Sequence, residues 1–159
     1  MHADLNLSNL ESVRNFMIAA GQHDPENPQF NFKDAPLVKL RLKLLLEEVA
    51  EHFEALLAEP SWNVIKKQFD LIQQLTSGIT KEDLDVNIVE VLDSAVDIEY
   101  ILCGNAIAFN VPFDKGFKLV HENNMTKIDK ATGKCIKSPE GKILKPEGYT
   151  PVNLSVLFD

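Results

Sequence analysis

From Lys81 to Phe109 the chain contains no proline and a single glycine, Gly104, and its apolar residues fall on more than one side of a helical projection. Proline would break such a run by removing a backbone donor, so its absence, together with Thr80 before the segment and Asn110 and Pro112 after it, predicts one long central helix. A helix that is apolar on several sides must be covered from several sides. That requirement points to helix-on-helix packing, an all-α fold, and excludes most sheet-based architectures.

The same segment carries acids in a narrow band. At 100° per residue, Glu90, Asp93 and Asp97 lie within about a 60° arc shared with Val86, Gly104 and Ala108, with Ile101 at its edge. Val89, Leu92, Val96, Ile98 and Leu102 occupy the remaining sides. An unpaired carboxylate buried among such residues costs several kcal/mol, so the pattern predicts a positive partner for these acids.

A second acidic group lies upstream. Asp34-Ala35-Pro36 supplies an N-cap and a first-turn proline for a helix that runs to about Glu59, where Pro60 stops it. On this helix Glu47, Glu48 and Glu51 fall within about a 100° arc that also holds Leu37, Leu40 and Leu44. Leu42, Leu45, Val49 and Phe53 cover another side, so this helix too is expected to be buried from more than one direction. Lys39, Arg41 and Lys43 are too few and too far back to neutralise both clusters. Carboxylate oxygens without histidine or cysteine suit a hard cation such as Mg²⁺ or Mn²⁺. The alternatives are internal salt bridges and hydrogen bonds, or helices less buried than their periodicity implies. A di-iron site is a minor reading, because the Glu-x-x-His pairs of di-iron bundles are missing.

The other elements follow from local signals. Ser8 and Glu11 have capping-box spacing before an apolar run through Val13, Phe16 and Met17 that ends at Gly21. The stretch 22–33, with Pro25, Asn27, Pro28 and Asn31, reads as a loop. Trp62, Ile65, Phe69 and Ile72 or Leu75 mark a helix from about Ser61 to Ser77, ending near Gly78. A last helix is expected from about Asp114 to Met125. The tail from about residue 126 contains Thr132-Gly133-Lys134 and Glu140-Gly141-Lys142, which suggest turns and a short hairpin. The expected fold is thus one domain over residues 1–159, a bundle of four to five helices with a hairpin-like tail.

Composition limits the partners. A formal net charge of −8 argues against a nucleic-acid polymer as ligand. From Lys115 through Glu147, however, eight lysines stand against four acids, so the chain has an acidic body and a lysine-bearing tail. Such a division suits cations in one part and a phosphate-bearing ligand in the other. No membrane-spanning or targeting pattern is evident, and Cys103 and Cys135 lack metal-ligand spacing; a soluble, cytoplasmic protein with free thiols is expected.

Glu47-Glu48-x-x-Glu51 followed by Glu90-x-x-Asp93 resembles the signature of the all-α nucleoside triphosphate pyrophosphohydrolases, the MazG-like and phosphoribosyl-ATP pyrophosphohydrolase-like group. The segment Asp93–Tyr100 with Gly104 and Ala106, the run His121–Lys127, and the tail Gly141–Pro146 with Gly148-Tyr149 and Pro151 are similar to that group as well. The spacer between the acidic helices is longer than in minimal members. The resemblance implies that Glu47, Glu48, Glu51, Glu90 and Asp93 bind metal, with Asp97 a weaker addition. It also implies that Asn124 and Lys127 face the phosphates, with Lys142 or Lys145 helping.

Members of the group release pyrophosphate from a nucleoside triphosphate, leaving the monophosphate. Glu48 is the candidate base, although spacing does not separate it from Glu47. Gln22, Phe32, Phe16, Phe30 and Trp62 are candidates for the base pocket. The uncovered apolar faces of the two long helices predict a homodimer or a dimer of dimers. Competing readings are a non-catalytic helical module that binds a nucleotide or protein, and a phosphatase acting on another phosphorylated metabolite.

Overall fold

The structure is a computed structural model that describes residues 7–26 and 34–158. Among them are five α-helices: α1 (Asn9–Ala19), α2 (Ala35–Leu56), α3 (Glu59–Ser77), α4 (Ile88–Ala108) and α5 (Phe113–Met125). They belong to two compact units, one formed by residues 30–86 and the other by residues 1–29 with 87–159.

In the first unit, the Asp34 carboxylate caps α2 by accepting the Leu37 N–H at 3.2 Å, and Pro36 lies in the first turn. A two-residue link leads into α3, whose own first turn contains Pro60. The proline expected to stop one helix therefore starts the next, where its missing N–H is no loss. α2 and α3 pack on each other. Leu40 and Trp62 are buried, and Phe69 stacks near Trp62 and meets Phe53 edge-on, with ring centroids 5.5 Å apart in the latter pair. Trp62 is a core side chain of this helix pair.

The second unit begins with α1, where the expected capping box is present: Ser8 Oγ accepts the Glu11 N–H, and the Glu11 carboxylate accepts the Ser8 N–H at 2.8 Å. Gly21, at φ 64°, ends the helix in the left-handed region. α1 packs against α5. After α5 the tail makes a single antiparallel bridge, Lys137 to Ile143, turning through Gly141 at φ 89°. The hairpin-like tail is thus one bridge in extent, and no strand forms among the described residues.

The central helix is shorter than its periodicity suggests. Thr80 and Asp83 close a separate 3-10 turn over Lys81–Asp83, with the Asp83 carboxylate accepting the Thr80 N–H at 2.8 Å. α4 starts only at Ile88, where the Asn87 side chain accepts the Val89 N–H at 3.1 Å. Two local caps override a continuous apolar period. At the other end Asn110 takes φ 52° and Val111 donates back to the Ala106 carbonyl, closing the helix.

Within its own unit α4 is largely uncovered. Ala106 is its sole buried residue, while Val89 is 68% and Ile101 61% exposed. The most closely packed helix pairs among the described residues are α2 with α3 and α1 with α5. Periodicity reports what a helix can bury, not whether its own chain supplies the cover.

Candidate functional site

The acidic residues divide between the two units. On α2, Glu47 is half-buried and Glu48 and Glu51 are exposed, so one turn of helix presents three carboxylates at successive and four-residue steps. On α4, Glu90, Asp93 and Asp97 are all exposed along one side. Among the described residues, no ion pair or side-chain hydrogen bond engages the carboxylates of Glu48, Glu51, Glu90, Asp93 or Asp97.

Exposure changes the argument for a cation. Hydrated carboxylates carry no burial penalty, so the demand for a positive partner expected from the sequence is not made by the chain alone. What remains is the donor chemistry. Each helix offers several hard oxygen donors and no histidine or cysteine among these residues, which fits Mg²⁺ or Mn²⁺ better than a softer ion. Within neither unit do three His, Cys, Asp or Glu side chains converge as a metal cage among the described residues. Mg²⁺ commonly takes one or two carboxylates and completes its shell with water and phosphate, so a preformed cage of three is not required by its chemistry.

The end of α5 and the tail build a contrasting, cationic surface. Asn123 is held at both ends of its amide: Nδ2 donates to the Thr150 carbonyl at 2.8 Å, and Oδ1 accepts the Tyr149 hydroxyl. One residue on, Asn124 Oδ1 accepts from the Lys127 ammonium at 2.7 Å. The Lys127 Nζ lies 5.5 Å and the Lys145 Nζ 5.7 Å from the centroid of the Tyr149 ring. Lys127, itself held by Asn124, and Lys145, named separately from the sequence, thereby lie near one aromatic side chain.

The tail is pinned at a second place, beside the end of α1. Gln22 Nε2 donates to the Gly141 carbonyl at 3.1 Å, and Lys137 Nζ donates to the Gly21 carbonyl at 2.8 Å. Lys142 sits half-buried in the turn that follows, its N–H donating to Ser138 Oγ. Gln22 thus holds the backbone next to Lys142. The positive field is felt at Cys135: burial raises its thiol pKa, and the nearby Lys137 and Lys127 pull it part of the way back.

Asp129 shapes the first tail turn. Its carboxylate accepts the Thr132 N–H and hydroxyl and the Ala131 N–H, and these bonds, led by the Thr132 backbone, hold its pKa below 3.8.

Phe30 and Phe32 lie outside the described residues. Phe16 is half-buried on α1, and Trp62 is core. Tyr149, Asn123 and Lys137 carry the tail's attachment, which the sequence reading did not assign to them, because their partners lie far along the chain where helical period says nothing. An open cleft of about 600 Å³ beyond the C-terminal part of α4 is lined by Cys103, Ile107, Asn110, Phe113, Asp114 and Lys115 among others, and holds none of the expected phosphate- or metal-binding residues.

Comparison with curated proteins and with solved structures finds no significant match. The sequence pattern of the phosphoribosyl-ATP pyrophosphohydrolase family matches residues 13–124, a span that takes in the latter part of α1, both acidic helices and nearly all of α5. That span covers most of the chain and contains each expected carboxylate and Asn124. The chain therefore belongs to the phosphoribosyl-ATP pyrophosphohydrolase family, and with it to the hydrolases that act on acid anhydrides.

Proposed function

We propose that the chain hydrolyses a ribo- or deoxyribonucleoside triphosphate to the monophosphate and pyrophosphate in a Mg²⁺-dependent reaction. The observation that carries this reading is the pairing, within one member of a pyrophosphohydrolase family, of two oxygen-only acidic clusters with a lysine cluster at the end of α5. Glu47, Glu51, Glu90 and Asp93, with Asp97, hold the metal in this reading, and Mn²⁺ can replace Mg²⁺. When bound, the metal neutralises phosphate charge and lowers the pKa of a water molecule.

Glu48, exposed on α2, orients the attacking water and accepts its proton as the bond between the α- and β-phosphates breaks. Lys127, fixed by Asn124, and Lys145 donate to phosphate oxygens and stabilise the departing pyrophosphate. Gln22 and Lys142, beside each other at the tail turn, and Phe32 complete the substrate contacts. The protein acts as a cytoplasmic homodimer, or a dimer of dimers, in which a second copy covers the exposed apolar sides of α4. Among the described residues, no helix is long and apolar enough to cross a membrane.

Product analysis with a panel of nucleoside triphosphates, with and without Mg²⁺, tests the reaction. Monophosphate plus pyrophosphate, lost on chelation, is expected. Inorganic phosphate as sole phosphorus product would instead indicate a phosphatase. A folded protein that turns over no triphosphate and gains no thermal stability from Mg²⁺ would indicate a binding module, since a ligand of the native state at 100 times its Kd should stabilise by about 2.7 kcal/mol.

A further inference from the structure

The Tyr149 side chain touches the end of α5 and two lysines at once. Its hydroxyl donates to Asn123 Oδ1, and the other end of the same amide grips the Thr150 carbonyl, so residues 149 and 150 are fastened to α5 by two bonds from one asparagine. The ring then has Lys127 and Lys145 within cation–π distance, 5.5 and 5.7 Å from its centroid. Both ammoniums are thereby tied to one ring.

Two like charges gathered in this way repel each other. The quadrupole of the ring favours a cation at each position, and an anion that reaches both ammoniums gains from both. Lys127 is already directed by Asn124 Oδ1. Lys145 has no such anchor: among the described residues its recorded contact is with Tyr149, and no carboxylate pairs with it. The position of Lys145 is thus set through the ring.

We infer that Tyr149 is a positioning residue of the phosphate site, a clamp that brings Lys145 of the tail beside Lys127 of the α5 end so that one polyphosphate chain contacts both. The ligand class is an inorganic or nucleotide-borne polyphosphate, and the assignment of that polyphosphate to a substrate rests on the proposed function. Tyr149 itself donates nothing to the phosphates; its effect passes through Lys145.

The test uses the full chain and inorganic tripolyphosphate, with binding measured by calorimetry at fixed ionic strength without divalent cations, and KM and kcat measured separately with Mg²⁺. Lys145→Met and Tyr149→Leu are each expected to weaken tripolyphosphate binding about tenfold, with KM rising more than kcat falls. Combined, they are expected to cost less than about twofold beyond Tyr149→Leu alone, because Lys145 is useful only when placed. Tyr149→Phe, which keeps the ring and gives up the phenol bond, should recover most of the binding.

Equal cost of Lys145→Met in both backgrounds would overturn the proposal, as would Tyr149→Phe binding no better than Tyr149→Leu, or a wild-type chain that does not bind tripolyphosphate. Failure of the enzymatic reading leaves a different record: no triphosphate is turned over while the binding pattern of the wild type and its four variants holds. Turnover with KM unmoved by Tyr149→Leu would reject the clamp alone.

Discussion

The helices α2 and α4 are written in the same style, acids set into an apolar period, yet their surroundings differ. α2 has α3 beside it, buried Leu40, and the Phe53–Phe69–Trp62 aromatic group at the shared face. α4, with the higher share of Val, Ile and Leu, has Ala106 as its sole buried residue. Burial by the chain's own packing is therefore not proportional to hydrophobicity. Where a unit leaves apolar surface this extensive open, a further protein surface is an ordinary remedy, which is the basis of the proposal that a second copy covers α4.

The widest effects would come from treating the two helices as equals in chemistry. Glu48→Gln on α2 and Asp93→Asn on α4 are each expected to lower kcat by about 10²-fold or more while leaving the fold intact, as monitored by circular dichroism. A large loss from one and none from the other would break the pairing of the two clusters.

Packing should separate them again. Trp62→Ala, which empties the covered face of the α2–α3 pair, is expected to destabilise by about 3 kcal/mol in denaturant titration. Ile101→Lys on α4 tests the uncovered helix. It should shift light-scattering mass from dimer toward monomer, with at least about a tenfold rise in the dissociation constant. An unchanged monomeric mass in the wild type would remove the reason for placing α4 at an interface.

The smallest effect belongs to α1 and calibrates the others. Ser8→Ala should lower Tm by roughly 2–4 °C. The Ser8 backbone bond, followed by the Ser8 hydroxyl, holds the Glu11 pKa below its ordinary value of 4.5. A lowered carboxylate pKa stabilises the native state above the unfolded value and loses that contribution as the pH falls through the folded value. Thermal scans should show the wild type losing its advantage over Ser8→Ala as the pH drops below 4.5.

Short-range chemistry was legible in the sequence. The Ser8–Glu11 box, the Asp34 cap, Pro36 and the end of α1 at Gly21 all involve partners within a few residues, and each is where its spacing implies. The start of α4 was misread because apolar period continues through Leu84 and Val86, whereas the Thr80–Asp83 and Asn87 side chains capture the backbone first. Burial of the acids was misread for another reason: a helical projection has no knowledge of what stands opposite it. For the candidate site, Asn124, Lys127 and Lys145 could be named one by one from family likeness, but their meeting at Tyr149 could not, because no local rule links residue 123 to residue 149.

The fastening of the tail has a bearing on biosynthesis. All five helices precede Tyr149 in the chain, and α1 and α5 can form from contacts local to each helix soon after they are made. The bonds from Gln22 to Gly141 and from Lys137 to Gly21 join segments more than a hundred residues apart, and such contacts form late. During translation the helices can thus form before the tail is fastened. A lysine cluster that depends on Tyr149 is complete only after α5 has been made and the tail has folded back on it.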